Sequence, residues 1–356
     1  MKARHFLSIT DIASKDLCRL VDRSLAIAGG ENKKRPLEGK IVGIYFKGSS
    51  TRTRTAFSTG TIRLGGQIIQ YGPRDLQLAT GENFRDTGRV LSGFLDVLVI
   101  RSNESLTEMA ALAEQEEMAV INAMSENEHP TQAIADLVTI REALGRLHDV
   151  HVFYVGEGNN TASALAFAAA QTAGMRLTLI TPWGYGLPES DLEKANMLAI
   201  GNGSVIEHHH DIDKAPKNVD VVYTTRWETM GVPKADPDWR AKFVDYSVTS
   251  GLMGRVSKPA GTIFLHDLPA VRGAEVQDDV LDGPQSRAFR QAKHKLTSAM
   301  AILDWCVSGL PAAEEDSREI LVSRALRSPH AGAFIRDHKG VQVNNADSPL
   351  TGVGSL

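Results

Sequence analysis

The segment Phe46-Lys47-Gly48-Ser49-Ser50-Thr51-Arg52-Thr53-Arg54-Thr55 concentrates groups that bind anions. An apolar run ends there, small residues make a turn, and hydroxyls then alternate with arginines as a helical pattern begins. The first turn of a helix presents unpaired N–H groups and a partial positive charge, which suits a phosphate. Ser50 and Thr53 add hydroxyl donors, and Arg52 adds a planar fork that matches phosphate geometry. The plainer reading is an N-cap followed by a solvated basic turn. Two arginines and four hydroxyls within residues 50–55 favour the anion site.

Two later positions could complete that site. Arg101 follows the apolar run 97–100, and His129-Pro130-Thr131-Gln132 opens a long helical pattern with Pro130 in the favoured first turn. In doubly wound sheets, ligands collect at the carboxyl ends of strands, where both residues should point. Taken alone, Arg101 could be a surface residue and His129 a cap.

Positioning these groups requires alternating strands and helices. Residues 40–46, 67–71, 97–101 and 118–122 read as strands, and 51–64, 82–95, 105–115 and 130–147 as helices. The rhythm restarts with strands at 151–155, 175–181, 219–224 and 262–266, and helices at 161–173 and 190–199. This predicts an α/β protein with two parallel-sheet blocks joined by the helix at 130–147. A late helix at 289–306 could fold back on either block. No internal repeat is visible, and residues 341–356, rich in Gly, Ser and Asn, read as part of a loosely ordered tail beyond Leu310.

Composition narrows the function. The chain has 356 residues, 42 % of them hydrophobic, enough for two domains. Lys plus Arg number 39 against 43 Asp plus Glu, so the mild net charge of −4 argues against a nucleic-acid surface. Cys18 and Cys306 make neither a metal spacing nor a disulfide framework. No signal-like apolar stretch opens the sequence, and no run approaches the ~18 apolar residues of a membrane helix. A soluble cytoplasmic protein is the expectation.

Together these motifs resemble the aspartate/ornithine carbamoyltransferase family, most closely its ornithine branch, over about residues 1–307. Residues 50–54 are identical to the family's carbamoyl-phosphate signature, and His129-Pro130-Thr131-Gln132 matches its second signature. Gly156-Glu157-Gly158-Asn159-Asn160 resembles the segment that receives the amino acid. Trp227-Glu228-Thr229-Met230-Gly231 resembles a mobile Trp-x-Ser-Met-Gly loop, and His266-Asp267-Leu268-Pro269 a His-Cys-Leu-Pro segment.

The resemblance implies two doubly wound parallel-sheet domains joined by long helices. Residues 1–147, completed by a helix at about 289–310, would bind carbamoyl phosphate; 148–288 would bind the amino-acid acceptor; 311–356 would be a tail. It implies that Ser50, Thr51, Arg52, Thr53 and Arg101 hold the phosphate, and that Thr53, Arg101, His129 and Gln132 hold the carbamoyl group. Gln77 matches a residue donated into a neighbouring subunit's site, which implies a homotrimer. Asn122, Asn160, Thr229 and Met230 would hold the acceptor's α-carboxylate end, with Leu268 beside it. The implied reaction makes citrulline and phosphate from carbamoyl phosphate and ornithine.

The chemistry itself is simple. A neutral amine attacks the carbonyl carbon, and charge builds on the carbonyl oxygen. Donors preorganised there lower the barrier by ~3–4 kcal/mol each. Thr53, Arg101 and His129 are suitable donors, and the departing phosphate can take the amine proton. Neither metal nor cofactor is required.

Three positions depart from the family pattern. Thr225 replaces an Asp placed to bind the substrate ammonium, with Arg226 beside it. Asp267 replaces the Cys of His-Cys-Leu-Pro. Lys295 stands where the pattern has Arg, so it joins the donor-binding group as a charge without the bidentate fork. Charge conservation suggests that Asp267 binds the ammonium that a hydroxyl at Thr225 cannot neutralise, which makes it a catalytic-site candidate. The competing readings are a different amine acceptor, such as a modified ornithine or one with a carboxylate for Arg226, or a catalytically weak ligand-binding regulator. Other signals are discounted. His208-His209-His210 reads as a solvated loop before a strand, Gly156-Glu157-Gly158 lacks the third glycine of a dinucleotide site, and Glu82, Arg85, Asp86 and Arg89 read as a solvated helix face with i,i+4 pairs.

Overall fold

The structure is a computed structural model and describes residues 3–31, 34–228 and 233–309. The proposed tail at 311–356 lies outside the described residues. Four described strands form one parallel sheet: β1 (Ile41–Phe46), β2 (Gln67–Tyr71), β3 (Val97–Arg101) and β4 (Ala119–Met124), in the order β2-β1-β3-β4. Five form a second: β5 (His151–Val155), β6 (Arg176–Ile180), β7 (Val205–His209), β8 (Val221–Thr224) and β9 (Ile263–His266), in the order β7-β6-β5-β8-β9. The order reverses between β1 and β3 in one sheet and between β5 and β8 in the other. Crevices open at such reversals, beyond the strands' carboxyl ends.

The helices follow from local sequence. In the first lobe they are α1 (Ser14–Ala28), α2 (Thr51–Arg63), α3 (Phe84–Ser92), α4 (Leu106–Leu112) and α5 (Pro130–Leu144). Then come α6 (Asn160–Ala170), α7 (Glu189–Ile200), α8 (Trp239–Phe243), α9 (Ser250–Val256), α10 (Asp278–Leu281) and α11 (Ala288–Ser308). Pro130 opens α5, and Gly145 ends it with φ 72°, a conformation that suits glycine. Residues 130–140 of α5 are buried on every face. Such a helix belongs at the centre of a protein rather than on its surface.

That centre joins the lobes. One hydrophobic cluster runs from Phe6 and Val42 through Leu137 and Val138 to Leu165, Val221 and Trp305, so both sheets share it. α11 returns from the second sheet and packs on α1, α2 and α5. The strand pairing places Phe46 opposite Arg101, so the turn after β1 and the end of β3 emerge side by side. At Arg101 the register with β4 shifts, and Arg101 pairs with Met124. Among the described residues, no helix is long and apolar enough to cross a membrane.

Most sequence-derived elements recur within a few residues, and β2, β3 and β5 match residue for residue. Two expectations need correction. His208 and His209 belong to β7, the outermost strand of the second sheet, and are not a loop. His208 Nε2 lies 2.8 Å from Thr181 Oγ1. Burial, then the neighbouring His210 and His209, lower its pKa to about 4. Arg85 reaches across to Glu114 on the α4 side instead of pairing along its own helix. The amphipathic helix α1 is an addition to the elements expected from the sequence. Because Leu137 is fully buried where the lobes meet, Leu137→Ala should destabilise the protein by ~2–5 kcal/mol, read as a lower denaturant midpoint.

Candidate active site

A cleft of about 240 Å³ lies between the two carboxyl edges. From the first lobe it is lined by Ser49, Ser50, Thr51, Arg52, Thr53, Arg101, Met124 and His129. Asn159, Asn160, Thr161, Thr225, Arg226, Glu228, Asp267, Leu268 and Pro269 line it from the second, and Lys295 of α11 completes it.

The candidate anion cradle begins at Ser50, the N-cap of α2. Its backbone is extended (φ −160°, ψ 96°), and its side chain makes no capping bond to the helix. The hydroxyl and the first N–H groups of α2 are therefore available to a ligand. Arg52 is half-buried and Thr53 is buried. Burial chiefly, with Asp267 opposing it, lowers the Arg52 pKa.

Arg101 is buried at the end of β3, with a guanidinium nitrogen 3.3 Å from His129 Nε2. An arginine only donates, so Nε2 accepts and the ring proton resides on Nδ1, 3.4 Å from Thr131 Oγ1. Burial first, then Arg101 and Lys295, push the His129 pKa well below its ordinary value. The ring is neutral at pH 7 and fixes Arg101 rather than adding charge. Burial brings Arg101 itself down to about 10, with Asp267 opposing and Arg52 reinforcing the shift.

Gln132 is buried one turn into α5. Its Nε2 donates to Asp136 Oδ1 at 2.7 Å, and its Oε1 accepts from Lys295 Nζ. Both ends of the amide are thus fixed. Gln132 borders a smaller cavity shared with Thr53, His129, Thr131 and Lys295, beside the main cleft. Asp136 also accepts from Gln291 Nε2 at 2.6 Å and Tyr223 Oη at 3.0 Å. Burial outweighs these bonds and raises its pKa to about 7. Gln291 Oε1 in turn accepts the His266 N–H at 2.9 Å, and His266 Nδ1 accepts the Leu268 N–H at 2.8 Å. A continuous hydrogen-bond chain therefore runs from Gln132 to the Asp267–Leu268 segment. Leu268 holds a left-handed backbone (φ 55°), a conformation costly for a branched residue and found where the surroundings impose it.

Asp267 and Glu228 are the carboxylates that line the cleft, and Asp267 is the one set beside its hydroxyls. Thr225 Oγ1 donates to its Oδ1 at 2.8 Å, and Thr161 Oγ1 to its Oδ2 at 3.2 Å. Each oxygen keeps further acceptor capacity for a cation. Arg226 lies at the rim, 3.9 Å from Glu228, which also meets Arg240 at 3.5 Å. Asn160 lines the cleft while its Nδ2 donates to Ser125 O at 2.7 Å.

Several expected residues fall elsewhere. Asn122 is fully buried, and its Nδ2 donates to Leu7 O and Ser125 Oγ. It does not line the cleft, because the N-terminal segment occupies it. Gln77 is exposed on a short 3-10 turn, with its Oε1 accepting from Thr80, and does not line this chain's own cleft. Thr229 and Met230 lie outside the described residues. Sequence reasoning missed Thr161 and the Asp136–Tyr223–Gln291 group. Asp136 carried a signal, since it stands four residues after Gln132 on one helix face.

The fold and cleft define a two-lobed α/β protein whose cleft sets a helix N-terminus and basic side chains beside a carboxylate. The family model of the aspartate/ornithine carbamoyltransferase carbamoyl-P binding domain matches residues 4–142, and that of the Asp/Orn binding domain matches residues 148–306. An ornithine carbamoyltransferase of Oceanobacillus iheyensis is 37 % identical over 306 residues, covering 85 % of this chain and 94 % of the relative. One of Bacillus subtilis is 38 % identical over 309 residues, covering 84 % and 96 %. The solved ornithine carbamoyltransferase of Pyrococcus furiosus superposes with a TM-score of 0.81 at 34 % identity, covering 87 % of this chain and 99 % of that one. The chain belongs to the aspartate/ornithine carbamoyltransferase family.

Lys295 gives the cradle a pH dependence. Burial lowers its pKa to about 8; Arg101 and Arg52 act the same way, while Asp267 and Asp136 oppose, and neutral His129 lies beside it. A cation that loses its proton near pH 8 stops attracting an anion above it. Phosphate affinity, measured by calorimetry, should therefore weaken roughly tenfold as pH rises through about 8. Lys295→Arg should show no such weakening over the same window.

Proposed function

We propose that this protein transfers the carbamoyl group of carbamoyl phosphate to the amino group of an amino-acid acceptor, with L-ornithine the first choice, giving L-citrulline and phosphate. The observation that carries this reading is the convergence of the α2 N-terminus and Arg52 with Arg101 and His129 in one cleft. The ornithine carbamoyltransferase names of the relatives and solved structures support the same acceptor.

The phosphate lies on the first turn of α2, held by Ser50, Thr51, Arg52 and Thr53. Arg101 and Thr53 face the carbonyl oxygen, where charge develops, and His129 orients Arg101. Lys295 and Gln132 close the donor site from α11 and α5. The amine attacks the carbonyl carbon, the bond from that carbon to the phosphate oxygen breaks, and the amine proton leaves with the phosphate. The first lobe with α11 serves the donor, and residues 148–288 serve the acceptor.

Asp267 holds the acceptor's ammonium in place of a carboxylate at position 225. Its two hydroxyl donors, Thr225 and Thr161, fix the carboxylate without neutralising it. Asn160 would meet the acceptor's α-carboxylate, and Arg226 a further carboxylate on an acceptor that carries one; both line the cleft. Gln77 reaches the cleft of a neighbouring subunit in a homotrimer, a reading its exposure supports, since it does not line this chain's own cleft. A cytoplasmic setting belongs to the same reading.

Purified protein given carbamoyl phosphate and ornithine should form citrulline, and Arg52→Gln should lower the affinity for carbamoyl phosphate by about ten- to a hundredfold. An acceptor screen across ornithine, acylated ornithines, lysine, putrescine, 2,4-diaminobutyrate and aspartate sets the substrate. Preference for anything but ornithine would displace the first choice and leave the reaction class standing. Asp267→Asn should raise the acceptor KM about tenfold or more while the carbamoyl-phosphate KM changes little. An unmoved acceptor KM would remove Asp267 from the ammonium contact.

A further inference from the structure

Lys295 carries a reactivity that transfer to an external amine does not need. Its side chain leaves α11 for the interior of the cleft, and its Nζ donates to Gln132 Oε1. It borders both the main cleft and the small cavity with Thr53, His129 and Gln132. The nitrogen thus lies among the groups proposed to hold the carbamoyl group. An arginine there would stay protonated and offer no nucleophilic lone pair. A lysine that loses its proton becomes an amine facing an electrophile.

We propose that Lys295 Nζ is a self-carbamoylation site, which accepts the carbamoyl group of bound carbamoyl phosphate when no external amine occupies the cleft. This rests on the donor reading given above. The Nζ lone pair forms a bond to the carbonyl carbon, and the bond from that carbon to the phosphate oxygen breaks. One N–H proton leaves with the phosphate as hydrogen phosphate. The product is a neutral, urea-terminated side chain, and no further reactant takes part.

The surroundings permit this chemistry. Arg101 from β3 and Arg52 from α2 face Lys295 with like charge, while Asp267 after β9 and Asp136 on α5 face it with opposite charge. Burial decides the balance and brings the amine to about 8. Near that pH about half of it is free base, against under ~1 % for an exposed lysine. A bound dianion favours the protonated amine, so modification should accelerate above pH 8. It should also be self-limiting, because the urea no longer contributes a cation to the phosphate cradle.

The test is to incubate the full chain with carbamoyl phosphate at about pH 8.5, above the amine's own pKa of about 8, without an acceptor, and to map adducts by peptide mass spectrometry. The expected result is one carbamoyl group on Lys295 well before the exposed Lys293, with activity falling in step. Ornithine or excess inorganic phosphate should slow both changes. Lys295→Arg, treated alike, should keep its own starting activity. Labelling of Lys295 no faster than Lys293, or labelling that phosphate does not slow, would overturn direct transfer, the second by pointing to cyanate from solution. Inactivation of Lys295→Arg at the wild-type rate would overturn it as well. Absence of carbamoyl-phosphate binding by calorimetry would instead sink the functional reading. Binding and citrulline formation with Lys295 unmodified would sink only this inference.

Discussion

Three cations crowded around one cleft set the terms for the rest of the structure. Arg52, Arg101 and Lys295 come from three different elements, and they disfavour one another's charge where they meet. Removing charges from water is costly unless they are paired and hydrogen-bonded. Asp267 is the standing counter-ion, and it favours the charged state of all three. Arg52, Arg101 and Lys295 outnumber the carboxylate set among them, which leaves an excess of positive charge beside the α2 N-terminus. Such an excess suits a dianion, and neutral His129 avoids adding to it.

Holding like charges together requires rigid supports. β1 and β3 are adjacent and in register, so α2 and Arg101 are delivered from the centre of one sheet. α5 and α11 supply His129, Gln132 and Lys295 from helices packed on each other in the shared core. Beneath them, Asp136 gathers donors from α5, β8 and α11. Leaving one such buried group without its partner costs ~1–3 kcal/mol, so the lobes are tied at the level of the site itself. The backbone adds a further tie, where His129 N donates to Asn160 O at 3.1 Å.

The parts of this site legible in the sequence are those that local chain geometry dictates. Ser50, Arg52 and Thr53 follow a strand and open a helix, and Arg101 ends a strand that pairs with it. His129 precedes a proline at a helix start. Each position declares its direction through its own neighbours. Asn122 ends in the wrong place because its partner, Leu7 O, lies far away in sequence, and no local pattern announces that interaction. The edge strand β7 is hard to read for another reason: only Ile206 of its five residues is buried, so no alternation marks it. Helix α1, by contrast, carries a helical apolar spacing at Leu17, Leu20, Val21 and Ile27 that is legible in the sequence and that sequence reasoning missed. Gln77 illustrates a different limit, since an exposed side chain on a single chain says little about a neighbour's cleft.

The pairing of Thr225 with Asp267 shows how a local departure becomes intelligible in three dimensions. The two residues are 42 positions apart, yet β8 and β9 are neighbours, and their ends bring hydroxyl and carboxylate to 2.8 Å. The carboxylate thus follows β9 and the hydroxyl that donates to it follows β8. At position 267 its charge favours the protonated states of Arg52, Arg101 and Lys295. A dianion on those cations would satisfy them and free the carboxylate for an incoming ammonium. The same charges then make the two substrates mutually favourable, because a cationic acceptor beside unneutralised arginines would be repelled. Such coupling needs no moving part; it follows from placing one carboxylate between a phosphate cradle and an amine site.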